Sequence, residues 1–225
     1  VTWALRVAHR SGAEAVLVKP AGLSSDDPHG RGESALAGAG EILGWPEARL
    51  PHRIDRLTRG YLVVARDAAS AAFHSEAIRA RRWLKAYVAR LELPRRGTVD
   101  ALVGEHRRYL RRKGPRAECV RSGGDPSHLE IVAAAPSPDG RACDVAIVLG
   151  SGRFHQIRAT CADLGAAVLG DALYGSDAAV EPYLEHALLR FPSASGGDVR
   201  LFDAADPERP RVAPEVLDAL TRLAR

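Results

Sequence analysis

Methionine is absent from all 225 residues, position 1 included, which leaves a trimmed or non-standard start open. Cysteine is scarce: Cys119, Cys143 and Cys161 are an odd set, at gaps of 24 and 18 residues. That is neither a disulfide framework nor a paired-cysteine zinc signature, and it points to a reducing cytoplasm. No apolar run approaches the roughly 18 residues of a membrane span, so no membrane partner is expected. No basic-then-apolar leader stands at the N-terminus, so secretion is not expected either. The eight histidines are each about 20 or more residues from the next, too far apart for a helical pair of metal ligands. No dedicated metal site is expected.

What is present is an ordinary globular composition, 46% hydrophobic and 27% charged. One compact core is affordable at this length, and a single domain over residues 1–225 is expected. Net charge is only +4, but residues 79–121 hold fourteen basic residues against four acids. This segment carries about +10 and the rest about −6. Such a field suits a polyanion better than a small neutral partner, although a solvated basic face would look the same.

Periodicity places the elements. Residues 14–18 read as a strand that runs into the Lys19-Pro20-Ala21-Gly22 turn. Residues 24–33 read as a loop, and 33–43 as a helix closed by Gly44. Residues 61–65 form a buried strand candidate. Asp67 is a plausible N-cap for a helix over 68–82, on which Phe73, Ala77, Ala80 and Leu84 share a face. Residues 84–92 alternate as a strand. Residues 104–125 are expected to be hairpin or loop with modest order. Strands are expected at 128–134, 143–149, 184–191 and 199–202. Ile157, Cys161 and Leu164 mark a helix that ends before Gly165. A last helix starts at Pro214. Strands and helices alternate without regular βαβ spacing, so the class is α+β with a largely antiparallel or mixed sheet.

The stretch PHRIDRLTRG, residues 51–60, sets Asp55 among Arg53, Arg56 and Arg59. Far along the chain, Arg158 lies in or near the first turn of a helix, where the helix dipole disfavours a cation. A cation there calls for an anionic partner, and Asp55 is the natural candidate. An arginine would hold the carboxylate ionised and aimed, as nucleophile, base or metal ligand. No second acid stands in this stretch, which argues against a two-carboxylate glycosidase. On these residues alone a structural ion pair remains the commoner outcome.

Five stretches together resemble the RluA-type pseudouridine synthases. AVLVKPAGL (15–23) is similar to the family's strand and Lys-Pro-x-Gly turn. HRIDRLTRG (52–60) resembles its His-Arg-Leu-Asp-x-x-Thr-Ser-Gly motif, and LKAYVAR (84–90) its Lys-x-Tyr strand. GRFHQIRATCADLGAAVLGDALYG (152–175) resembles Gly-Arg-Thr-His-Gln-Ile-Arg-x-His followed by Gly-Asp-x-x-Tyr-Gly. EHALLRFPSASGGDVRLFDA (185–204) is similar to the closing Leu-His-Ala segment.

The resemblance implies a bent, mixed sheet with flanking helices and loops and a central active-site cleft. It implies an enzyme, without cofactor, that converts uridine to pseudouridine in RNA, ribosomal or transfer. Asp55 falls on the catalytic aspartate, Arg158 on its pairing arginine, and Tyr87 on the tyrosine that contacts the base. Arg53 falls on the arginine that fills the space of the flipped nucleotide. His52 and Arg56 beside it complete the expected RNA-binding set, with hydrogen-bonded scaffold as the plainer reading of His52 and His155. Arg56 and Arg59 are expected to face phosphate or solvent. Lys19 is expected to support its turn. Trp3, Trp45 and Trp83 are read as packing residues, with RNA stacking a second option for Trp83, and Cys161 as core.

The sequence departs from the family pattern at Ile54, Leu57, Arg59, Phe154, Thr160 and Glu185. The chain also begins close to the catalytic core, so a separate N-terminal RNA-binding domain is not expected. The partner is RNA, acted on by a monomer. A catalytically silent RNA-binding protein of the same fold, or a glycosylase that releases the base, are the competing readings.

Overall fold

The computed structural model describes residues 4–27 and 33–225. Trp3 and residues 28–32 of the 24–33 loop therefore lie outside the described residues. In chain order the elements are β1 (Arg6–Arg10), β2 (Glu14–Lys19), α1 (Ala35–Leu43), β3 (Arg59–Ala65), α2 (Ala68–Arg79) and β4 (Leu84–Leu91). Then come β5 (Gly104–Lys113), β6 (Arg116–Val120), β7 (Asp125–Pro136), β8 (Cys143–Leu149) and α3 (Gln156–Asp163). The chain closes with β9 (Leu184–Pro192), β10 (Asp198–Phe202) and α4 (Pro214–Ala224). This is the expected α+β class, with strands that pair mostly antiparallel.

Two compact units divide the chain. The first comprises Val1–Leu84 and Glu185–Leu201. Its strands run β1-β2-β3-β9, with β10 on β9, and the β3–β9 pairing is parallel. Strands β2 and β3 are buried along their whole length, which accounts for their near-continuous runs of Val, Leu and Ala. One side of the core gathers Val16, Val18, Val63, Trp83, Leu189 and Phe191. The other sets Leu17 and Val64 against Leu43 and Trp45. Trp83 is therefore a packing residue, its ring 5.0 Å from Phe191, and the RNA-stacking option for it falls.

Helix α1 starts at Ser34, whose hydroxyl accepts the Ala37 amide, and ends at Gly44 in the left-handed region. Asp67 caps α2 in the same way through Ser70. Each such cap contributes about 1 kcal/mol. Helix α2 ends at Arg79, three residues before the expected point. Arg81 takes a left-handed φ of 55°, and the Arg82 amide closes back on the Ala77 carbonyl.

The second unit comprises Lys85–Leu184 and Phe202–Arg225, with strand order β4-β8-β7-β5-β6. Helix α4 lies on β7 and β8 and buries Val216, Ala219 and Leu220. Asp144 on β8 ties its start in place: the carboxylate holds Arg90 through two bonds and accepts the Ala213 amide. The segment expected to have modest order is a regular hairpin, β5 and β6. Arg108, Leu110 and Arg112 share one face of β5, and Arg107, Tyr109, Arg111 and Lys113 the other. Only Leu110 on β5 is buried, so the strand carries too few apolar residues to announce itself. Strand β1 is polar and mostly exposed at a sheet edge, and it carried no signal for the same reason.

Candidate active site

In the first unit, Asp55 sits half-buried on the loop before β3, and its two neighbours are clamped by the turn after β2. The Ser25 hydroxyl donates to the Ile54 carbonyl at 2.7 Å and accepts the Ile54 amide at 3.2 Å. On the other side, the Arg56 carbonyl accepts the Gly22 amide, and Arg56 Nε donates to the Gly22 carbonyl at 2.6 Å. The Asp55 carbonyl accepts the Thr58 amide and closes the loop. The Lys-Pro-x-Gly turn and the His-Arg-x-Asp stretch, separate in sequence, are therefore one hydrogen-bonded unit around the carboxylate.

Lys19 lies under this unit and is fully buried. Its ammonium donates to the carbonyls of Pro20, Leu23 and Arg56. Burial pushes its pKa down to about 7, against the attraction of Asp55, which raises it. Lys19 supports the turn, as expected, and it also places a cation in electrostatic reach of Asp55.

Arg53 points outward and meets Asp26 at 3.2 Å, with its side chain 65% exposed. An exposed pair of this kind is worth about 0–1 kcal/mol, so the guanidinium is readily released to another partner. His52 accepts the Val63 amide at Nε2 and sets its ring edge-on to Trp83 and His186. That geometry makes the ring a fixed strut for the loop. Arg59 differs from the expectation that it faces phosphate or solvent. It opens β3 in register with Glu185 on β9, is 8% exposed, and pairs with that carboxylate at 3.7 Å.

In the second unit, Tyr87 lies buried on β4, opposite Ile147 on β8. Arg158 leaves the first turn of α3, and two bonds, at 2.7 and 2.9 Å, join it to Asp171. A third bond, from its terminal nitrogen, reaches His155 Nε2 at 2.8 Å. Arginine can only donate, so His155 Nε2 accepts and Nδ1 carries the proton. That proton is given to the Tyr174 hydroxyl oxygen at 3.0 Å, which also accepts the Ala117 amide. Burial and the Arg158 charge hold the His155 pKa down at about 4, so the ring is neutral.

The turn into α3 is fixed by Gln156. Its carbonyl oxygen accepts the Ser151 hydroxyl and the Arg153 amide, and its amide donates to the His128 carbonyl. His155 takes a left-handed φ of 53° to make this corner. Gln156, Asp171 and Tyr174 all stand in the quoted motifs, yet spacing alone assigns them no partner.

The basic excess of residues 79–121 is partly answered close by. Arg107 pairs with Glu105, Arg108 with Asp163, and Arg111 and Lys113 share Glu118. No group of three or more His, Cys, Asp or Glu that could hold a metal occurs among the described residues. No helix among them is long and apolar enough to cross a membrane.

Four of the six expected site residues, His52, Arg53, Asp55 and Arg56, thus stand together on one loop of the first unit. Tyr87 and Arg158 belong to the second. Comparison with known proteins adds an independent finding. A ribosomal large subunit pseudouridine synthase D of Xanthomonas campestris is 30% identical over 168 residues, covering 71% of this chain and 48% of the relative. An uncharacterized RNA pseudouridine synthase of Bacillus subtilis is 28% identical over 168 residues, 71% of this chain and 54% of the relative. The chain spans about half the length of the curated relatives it matches. Human RNA Pseudouridylate Synthase Domain Containing 1 shares the fold, with a TM-score of 0.77 at 23% identity over 99% of this chain and 95% of that one. The family model for RNA pseudouridylate synthase matches residues 15–163, which include Asp55, Tyr87 and Arg158. The chain belongs to the RNA pseudouridylate synthase family, and to its RluA type.

Proposed function

We propose that this chain isomerises uridine to pseudouridine in structured RNA, ribosomal or transfer, acting as a monomer in the cytoplasm without a cofactor. One observation carries the reading most. The family's motifs fall on two hydrogen-bonded clusters, one that fixes Asp55 and one that fixes Arg158, where looser side chains would serve a plain binding protein equally well.

The reaction breaks the N1–C1′ bond of the target nucleotide and forms C5–C1′. The C5 proton is lost, and N1 takes one up. Atoms and charge balance without an oxidant or reductant. The base must first leave its stack, at a cost of a few kcal/mol. Arg53, whose surface pair with Asp26 is weak, swings into the vacated space and offsets part of that cost. His52 holds the loop that carries it, and exposed Arg56 presents the loop's cationic edge to the RNA.

Asp55 then acts as the nucleophile, toward C1′ or the base, and Arg158 keeps it ionised and aimed. Asp171 and neutral His155 fix the direction of that arginine. Tyr87 contacts the detached uracil and assists the loss of the C5 proton. The exposed cations of β5 and β6 meet phosphates, a contribution that falls steeply with added salt.

RNA containing 5-fluorouridine tests whether the site is live. A stable or rearranged adduct is expected, and an unmodified RNA would favour the silent binding protein. Mapping pseudouridine in total RNA from cells with and without the gene then identifies the target.

A further inference from the structure

Lysine is rare in this chain: only Lys19, Lys85 and Lys113 occur among 32 basic residues. Lys113 is an exposed surface cation. The other two are buried, and their surroundings differ. Lys19 has three carbonyls for its ammonium. Lys85 is only 8% exposed and, among the described residues, meets no hydrogen-bond acceptor or ion-pair partner. Burial alone lowers its pKa, with no opposing carboxylate. An amine on a side chain buried to this degree, with no protein acceptor among the described residues, is held only by what solvent reaches it.

The surroundings of its nitrogen indicate what would meet it. Lys85 Nζ lies 3.6 Å from the point where a side chain on Gly152 would begin. Gly152 is not in a left-handed conformation, so its backbone does not require glycine. Its small size leaves room beside the amine. Gly152 is itself exposed, so the space opens to solvent. Exposed Arg153 follows, and the positive end of α3 begins at Gln156. Together these features favour an anion, and no carboxylate among the described residues answers Lys85.

We infer that Lys85 and the turn at Gly152 form a phosphate subsite that takes a backbone phosphodiester of the RNA beside the target uridine. Lys85 and Tyr87 leave β4 on the same face, two residues and about 7 Å apart along the strand. That spacing is comparable with the reach from a base to its own phosphate. With Tyr87 at the uracil, Lys85 anchors the backbone of the same nucleotide. The inference rests on the synthase reading for the position of the base.

The test uses the full chain with its lysines labelled by reductive 13C-methylation, the Lys85 signal being assigned by its loss in Lys85→Met. Single-stranded pentauridylate should shift that signal and raise its titration midpoint. The uncharged methylphosphonate analogue should do neither, and inorganic phosphate should act only at far higher concentration. Lys85→Met should weaken pentauridylate binding by about 10- to 100-fold. It should also make the salt dependence shallower by about 0.7. The same variant should unfold at equal or higher temperature than wild type, because it removes a charge from a mostly buried side chain that has no protein partner among the described residues. A lysine with a purely structural role would lose stability instead. An unmoved Lys85 signal together with unchanged affinity and salt slope, in a wild-type protein that binds RNA and forms pseudouridine, overturns the subsite and leaves the synthase reading standing. A wild-type protein that binds no RNA overturns both.

Discussion

Arg158 and Asp171 form a two-bond pair in which both side chains are under a tenth exposed. The guanidinium that the sequence offers to Asp55 thus already has a carboxylate of its own, thirteen residues on. Asp171 acts through Arg158 and is a positioning residue. Removing one partner of a buried, hydrogen-bonded pair costs about 3–5 kcal/mol. Asp171→Ala should therefore destabilise the protein by that order in urea unfolding and abolish pseudouridine formation. Asp171→Glu should recover part of the activity, with kcat affected more than KM.

Arg59 and Glu185 make a second long-range pair, and both positions depart from the family pattern. The structure gives these departures a common reason: the residues are register partners on parallel strands. Arg59→Ser or Glu185→Leu alone should each cost about 3 kcal/mol, because each removes one partner of a buried ion pair. The double variant should be more stable than either single one. Chemical denaturation of the four proteins as a cycle measures this, and additive losses would count against the pairing.

His155 sets a pH dependence. Its folded-state pKa, near 4, lies below the ordinary 6.5, so below 6.5 the unfolded chain binds more protons than the native one. Stability from this group is complete above about 6.5 and is lost as pH falls toward about 4. Protonation also turns Nε2 into a donor facing the Arg158 donor, so that bond breaks. His155→Gln keeps an acceptor for Arg158 and should flatten the acid limb of the stability curve by up to one proton. An unchanged limb would mean that the ring is not held neutral in the native state.

Much of this was legible in the sequence, for identifiable reasons. Strand β8 is readable at its observed bounds because Asp144 is followed by an unbroken β-branched and apolar run, Val145 to Leu149. The caps at Asp67, Gly44 and Gly165 are local chemistry, and local chemistry can be read from spacing. The motif residues were recognisable one by one. What was not legible is which of them touch. Ser25 clamping Ile54, Asp171 holding Arg158 and Glu185 meeting Arg59 are all contacts between segments far apart or differently shaped, and periodicity carries no information about them. A hairpin was one of the two expectations for residues 104–125, and what could not be read was its regularity: β5 owes its order to pairing with β7, and β6 to pairing with β5, not to apolar residues of their own.

The central claim is that Asp55 carries the reaction. Its loop neighbours Ile54 and Arg56 are fixed through backbone bonds that do not involve its side chain, so Asp55→Asn should fold and bind RNA like wild type. The direct measurement is pseudouridine formation by purified Asp55→Asn and wild-type protein on the same RNA, with binding followed in parallel. No detectable pseudouridine with binding retained is the predicted result; activity retained in Asp55→Asn would contradict the account.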